Sequence, residues 1–476
     1  FNPVDELGNV TGEALKGGDV SITADRGYLV LEQGSNIDVS GSDAKLDLPV
    51  ARAAEGSVRF ARRTVGSDAG LISLTSAEGI VLDGSLHAKA GSPTNRAGRL
   101  AYALNRNNRQ DELGGFPLNP LHIDVTQQDQ KALPSGLKFG DALPGSSIGQ
   151  AGISSEEIAK AGFDDLILSL PAYENGQPRG NPPGEVRFVG DVNFNTKSSI
   201  NVDAQIVEWA GLNGSTTGNV NLKTSFLQLG SSSISEIPEL IGTSSVGGGK
   251  LTTHADWTQL TGASLLTGLN QVNLTSLHDV RAVGFRNANV EPAIREFVGN
   301  LRTAADLNLT ASQIYPSTLS KYTFSVTNPT GKLTISGRNT DSTPLSAAGK
   351  LTFNAPVIEQ NGVLKAPLGT IELNAAKNIS FGKDSLTSVS ADGKTIPFGE
   401  IFNNIWRYPL LGSTNSNLVF NEKPDNISLG EKHLVFKSPD IDLKAGSIID
   451  ISGGGDLLAY EFQPGLGGEF DYLATG

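Results

Sequence analysis

Two stretches near opposite ends of the chain say almost the same thing: Gly34-Ser-Asn-Ile-Asp-Val-Ser-Gly41 and Gly446-Ser-Ile-Ile-Asp-Ile-Ser-Gly453, with six of the eight residues identical. The residues before each copy follow one plan. Val20-x-Ile22 and Leu29-x-Leu31 precede the first, Leu434-x-Phe436 and Ile441-x-Leu443 the second. A looser third copy runs Ile72-x-Leu74, Ile80-x-Leu82, Gly84-Ser85 and Gly91. A phrase of roughly 20 residues that recurs in this way, made of short alternating strands separated by Gly, Ser and Asp, is the mark of a solenoid. The fold expected is all-β: a right-handed parallel β-helix with loop and short helical insertions.

The alternation continues through most of the chain. Val186-x-Phe188, Val192-x-Phe194, Ile200-x-Val202, Val220-x-Leu222, Val272-x-Leu274 and Leu333-x-Ile335 each place apolar residues on one face of a strand. The clearest run is Leu351-x-Phe353, Val357-Ile358, Val363-Leu364, Ile371-x-Leu373 and Ile379-x-Phe381, two coils back to back. These patterns assign coils to 1–91, 166–290, 303–396 and 431–476. Between them fall an insertion over 92–165, a short helical insertion over 291–302 and an excursion over 397–430. Within the first insertion, Ser154 followed three residues later by Glu157 reads as a capped helix start, ending at Gly162. Pro292 in the first turn, with Ile294, Val298 and Leu301 at helical spacing, reads as the second helix.

Composition narrows the chemistry. Among 476 residues there is no Cys, which removes disulfides, thiolate metal sites and Cys nucleophiles. There is also no Met, and the sequence starts at Phe1, so a processed piece of a longer protein is expected. Absence of Cys suits export through a periplasm where disulfides would form. A net charge of −13 repels nucleic-acid phosphates, so no nucleic-acid partner is expected. No apolar run approaches the ~20 residues of a membrane-spanning helix.

Five histidines (His87, His122, His254, His278, His433) lie without metal-ligand spacing, and no nucleophile elbow or phosphate loop is present. No catalytic residue, cofactor or metal is therefore assigned. Paired carboxylates are the exception to weigh, because β-helical lyases and glycosidases work with such pairs. Asp38 with Asp43 and Asp47, and Asp440 with Asp442 and Asp450, are the candidates. Asp38 and Asp450, however, belong to the repeated phrase, which favours a turn role in which the carboxylate bonds backbone N–H groups. Arg96, Arg99, Arg106 and Arg109 around Tyr102 form a local basic, partly aromatic patch in an acidic chain, a candidate contact surface.

Gly349 to Leu373, the segment Leu386 to Gly393, the closing Ser452-Gly-Gly-Gly-Asp-Leu-Leu-Ala-Tyr-Glu-Phe462, and Ser154 to Ser169 together resemble the filamentous haemagglutinin family of Gram-negative exoproteins. The resemblance covers most of residues 10–475 and carries no catalytic residues. It implies secretion through an outer-membrane barrel transporter and display or release as a cell-surface adhesin or fibre. The partners expected are a glycan or other cell-surface ligand, for which the arginine-bearing stretch is the contact surface, and further rods, since stacking end to end or side by side would make a fibre. The asparagine-rich secretion domain of such proteins is not evident here. The function expected is a non-enzymatic extracellular structural or adhesive segment. The alternatives are a β-helical polysaccharide lyase or glycoside hydrolase, and the stalk of a contact-dependent toxin.

Overall fold

A computed structural model describes residues 2, 4, 8–25, 27–50, 59–105, 120–128, 149–170, 184–232, 243–286, 297–337, 344–402, 405–408, 418–421 and 431–461. Most of them lie in β-strands, with one helix among the described residues. The chain divides into two units, residues 1–278 with 301–308, and residues 279–300 with 309–476. Each is a parallel β-helix.

In the first unit the inward side chains stack in register from strand to strand. Ile72, Leu100, Leu166, Ile200 and Leu227 form one column, and Leu74, Tyr102, Leu168, Val202 and Leu229 the next. A second sheet stacks Leu29, Ile80, Ala151, Ile123, Val186, Val207 and Leu266. A third stacks Val192, Val220, Leu251 and Val272. Every backbone N–H and C=O of an interior coil can pair with the coils on either side, at ~4.8 Å. Each inward Leu, Ile or Phe contributes about 1.5–3 kcal/mol by leaving water, so the columns supply most of the drive to stack.

The second unit repeats the arrangement. Tyr322, Leu351, Ile371 and Leu434 make one column; Phe324, Phe353, Leu373 and Phe436 make its neighbour. Phe324 and Phe353 stack face to face, with centroids 4.7 Å apart and planes 5° from parallel. The buried Gln360 amide is bonded at both ends: it donates to Leu386 O at 3.0 Å and accepts from Gly362 N at 3.2 Å.

Two of the sequence-based segments need correction. Residues 92–165 are not an insertion as a whole. The strand Arg99–Leu104 lies in the first column between Leu71–Ser76 and Asp165–Ser169, while His122–Thr126 and Gln150–Ser154 belong to the second sheet. The long sequence intervals between these strands hide their common register. In the described part of 291–302 a strand stands in place of the expected second helix: Phe297–Thr303, with Gly299, Leu301 and Thr303 facing inward. Two of those three inward residues are Gly and Thr, so the period of two is invisible to a reading based on large apolar residues. The remainder, 287–296, lies outside the described residues. In the 397–430 excursion the described strands leave the main sheet: Thr395–Phe402, Ile405–Tyr408 and Leu418–Asn421 form a separate four-stranded sheet with Asp456–Glu461. Its Phe398 and Ile396 are buried against Ala347 and Ala391, and the Trp406 indole donates to Phe398 O at 2.7 Å.

The helix Ser155–Ala161 forms as its caps dictate. Ser154 is extended at φ −108°, its hydroxyl accepts from Glu157 N, and Gly162 closes the helix at φ 87°. That left-handed conformation is open to Gly without strain.

Candidate functional site

The repeated aspartates are turn residues. Asp38 Oδ1 accepts the Ser40 backbone N–H at 2.8 Å, and Asp450 Oδ1 accepts that of Ser452 at 3.0 Å. Hydrogen bonds from the Ser40 side chain and backbone hold the Asp38 carboxyl below its ordinary value. At Asp450 burial pushes the other way, but the backbone and hydroxyl of Ser452 and the hydroxyl of Ser388 outweigh it, and the carboxyl is again lowered. Asp47 sits in the antiparallel hairpin of Asp43–Val50 with Arg59–Gly66, where the Arg62 guanidinium grips it at 2.7 and 3.1 Å.

The proposed arginine patch is divided by the fold. Arg99 is exposed and Tyr102 fully buried on the same strand, because residues three apart in a strand face opposite sides. The Tyr102 hydroxyl donates to Gly152 O at 2.8 Å, and burial holds the phenol well above its usual range. Tyr102 is thus a core residue and not part of a contact surface. Arg96 is exposed, and its backbone N–H is bonded to Asp68 Oδ1 at 2.8 Å. Arg106 and Arg109 lie outside the described residues.

A different cluster appears on the outward face of the second sheet. Adjacent strands His122–Thr126, Glu185–Val189 and Ile206–Ala210 put His122 beside Glu185, and Asp124, Arg187 and Glu208 in one row. Arg187 binds Asp124 with two charge-assisted hydrogen bonds, Nε to Oδ1 and Nη2 to Oδ2, both 2.8 Å. Three carboxylates therefore share one guanidinium. Burial, followed by repulsion from Glu208, raises the Glu185 carboxyl, and burial also raises Glu208 while Arg187 opposes it. His122 stands 3.7 Å from Glu185, beyond hydrogen-bond length, and neither ring nitrogen has a hydrogen-bond partner. Burial and the nearby Arg187 charge lower its basicity.

Of this cluster only Arg187, between Val186 and Phe188, was visible in the sequence as the outward member of an alternating strand; His122 and Asp124 fell within the stretch read as an insertion. The assembly was not visible, since 122, 185 and 208 are brought together only by the order in which coils stack. Among the described residues no group of His, Asp and Glu is arranged to hold a metal ion.

Aromatic residues supply the other outward feature. Phe226 and Trp257 are in register on the neighbouring strands Gly218–Leu229 and Val246–Thr261, yet 38% and 46% exposed. The Trp257 ring packs against His278 with centroids 4.7 Å apart. In the second unit a shallow groove of about 810 Å³ is lined by Asn354, Asn374, Lys437, Ser438 and three prolines. Its two asparagines join through a 3.0 Å amide bond. No family model, curated protein or solved structure matches the chain.

Proposed function

We propose that the chain is a non-enzymatic segment of an extracellular bacterial exoprotein resembling the filamentous haemagglutinins, a β-helical scaffold that attaches through the outer faces of its coils. The observation that carries this reading is the Phe226–Trp257 pair, large aromatic surface left facing water on a regular sheet. Exposed aromatics in a row mark contact surfaces, and Trp is prominent among residues that dominate binding energy. Asp38 and Asp450, each bonded within its own turn, support the same reading by withdrawing the repeat's acids from catalysis. Secretion through an outer-membrane barrel transporter and display at the cell surface rest on the family resemblance. Adsorption of the purified chain to whole Gram-negative cells and to immobilised polysaccharides tests the reading. Saturable binding that falls at least about tenfold in the Phe226→Ala/Trp257→Ala variant, with unchanged melting, is expected; binding indifferent to both substitutions would overturn it.

One observation favours a second reading. Glu185, Glu208 and Asp124 are acids outside the repeated phrase, gathered with Arg187 and His122 on one sheet, as a β-helical glycosidase or lyase requires. Glu185 and Glu208 are diagonal neighbours, ~8 Å apart by strand geometry, within the range of acid pairs that activate a water for glycoside hydrolysis. Release of reducing sugar or of unsaturated product from a polysaccharide panel, abolished by Glu208→Gln, would establish this enzyme; no turnover on any substrate leaves the adhesive reading.

A further inference from the structure

Two Asn-Gly pairs lie among the described residues, Asn213-Gly214 and Asn361-Gly362, and the coils hold them differently. The first occupies the centre of the turn Leu212–Ser215, between the strands Ile206–Ala210 and Gly218–Leu229. Asn213 has φ 50° and Gly214 φ 81°, and Ser215 N donates to Leu212 O at 2.9 Å. Two successive positive φ values mark a tight turn that Asn-Gly adopts readily. Asn213, Gly214 and Ser215 are all exposed, and a side chain built on Gly214 would find open space. Among the described residues neither the Gly214 N–H nor the Asn213 side chain has a hydrogen-bond partner.

The second pair is engaged by the coils around it. Asn361 ends the strand Lys350–Asn361, in register with Ser336 of one neighbouring coil. The Gly362 N–H donates to the buried Gln360 Oε1 at 3.2 Å. On the side of the next coil, Asn361 Oδ1 fills the place that a side chain at Gly382 would take. Nitrogen and side chain are thus both occupied here, whereas those of the first pair are free.

We propose that Asn213 is a site of spontaneous covalent modification, in which its side chain closes on the Gly214 nitrogen and is then reopened by water. The Gly214 nitrogen gives its proton to hydroxide and attacks Cγ of Asn213. The N–Cγ bond forms, the Cγ–Nδ2 bond breaks, and Nδ2 leaves as ammonia after taking a proton from water, which regenerates the hydroxide. Water then adds to one of the two carbonyls of the cyclic imide. Cleavage at Cγ leaves aspartate; cleavage at the backbone carbonyl leaves isoaspartate, whose chain runs through Cγ. The sum is one water consumed and one ammonia released, with no oxidation or reduction. Glycine permits the attack because no side chain shields its nitrogen. The exposed turn opens at little cost. Gly362 must first give up its bond to Gln360, which by itself slows attack there about tenfold. The strands flanking the turn remain paired in their sheets, so the new carboxylate is carried on an intact scaffold. This inference stands apart from whatever Phe226 and Trp257 bind.

Ageing the purified 476-residue chain in mildly alkaline buffer, followed by peptide mapping with mass spectrometry, tests it. Exchange of ammonia for water at Asn213, seen as two chromatographically separate products of equal mass, is expected to run at least about tenfold faster than at Asn361. The same chain aged in denaturant supplies the second arm. With the fold gone, each asparagine is simply followed by glycine, and the two should react at similar rates. Equal rates in the folded chain would overturn the proposal. So would an Asn213 that stays intact when folded but reacts when unfolded, or a difference between the pairs that persists unchanged in denaturant.

Discussion

Arg187 holds Asp124 through two parallel hydrogen bonds of 2.8 Å between adjacent strands, residues 63 apart in sequence. The pair is half-buried, and Glu185 and Glu208 add two further carboxylates around the same guanidinium. Removing the cation therefore does more than break one ion pair.

Arg187→Met should cost about 1–3 kcal/mol of stability at neutral pH, the range for hydrogen bonds to charged groups. Arg187→Lys should recover only part of it, because an ammonium cannot reproduce the two-pronged geometry. Chemical denaturation of the three proteins at pH 7 measures both.

The same cluster sets a pH dependence of defined sign. Glu185 and Glu208 have carboxyls raised above their ordinary value in the folded chain. The folded state thus holds these protons more tightly than the unfolded one. Their contribution is complete below the unfolded carboxyl value and is lost as pH rises through the raised, folded value. Glu185→Gln/Glu208→Gln should accordingly gain stability relative to the parent as pH goes from about 4.5 to 7. His122 acts in the opposite direction. Its lowered folded value means that its contribution is present above the unfolded imidazole value and fades as pH falls through the folded one. His122→Gln should therefore flatten the loss of stability below about pH 6.5. Melting curves across that pH range check both signs.

The Ser154 hydroxyl accepts the Glu157 backbone N–H in the first turn of the helix Ser155–Ala161. Ser154→Ala should lower stability by about 1 kcal/mol, whereas Ser154→Asp should stay within a few tenths of the parent because aspartate caps equally well. Thermal melts of the two variants separate a capping role from simple burial.

How far the sequence foretold this structure depends on whether the signal was local. The helix after Ser154 was legible because cap, acid and closing glycine occupy nine consecutive positions. The turn role of Asp38 and Asp450 was legible because the same aspartate recurred with the same serine two residues on. The 297–303 strand was missed because Gly299 and Thr303 take inward positions that Leu or Ile fill elsewhere. Tyr102 was placed on the surface because four arginines nearby outweighed the Leu100-x-Tyr102-x-Leu104 alternation that buries it. The His122–Glu185–Arg187–Glu208 cluster could not be read at all, since its residues meet through stacking order, a property that no local window contains.

Stacking in this register is the claim on which the cluster and the aromatic pair both depend, and a chain without cysteine allows it to be tested with introduced thiols. Asn193 and Asn221 face solvent in register on neighbouring strands, joined by an amide bond of 2.8 Å. Their Cα atoms stand ~4.8 Å apart by strand spacing, inside the reach of a disulfide. Asn219, two residues earlier, would place its Cα ~8 Å from Asn193, outside that reach. The measurement is disulfide yield under mild oxidation in Asn193→Cys/Asn221→Cys and in Asn193→Cys/Asn219→Cys. Near-complete closure of the first and little of the second is the predicted result; equal yields, or the reverse order, would contradict the parallel, in-register coils described above.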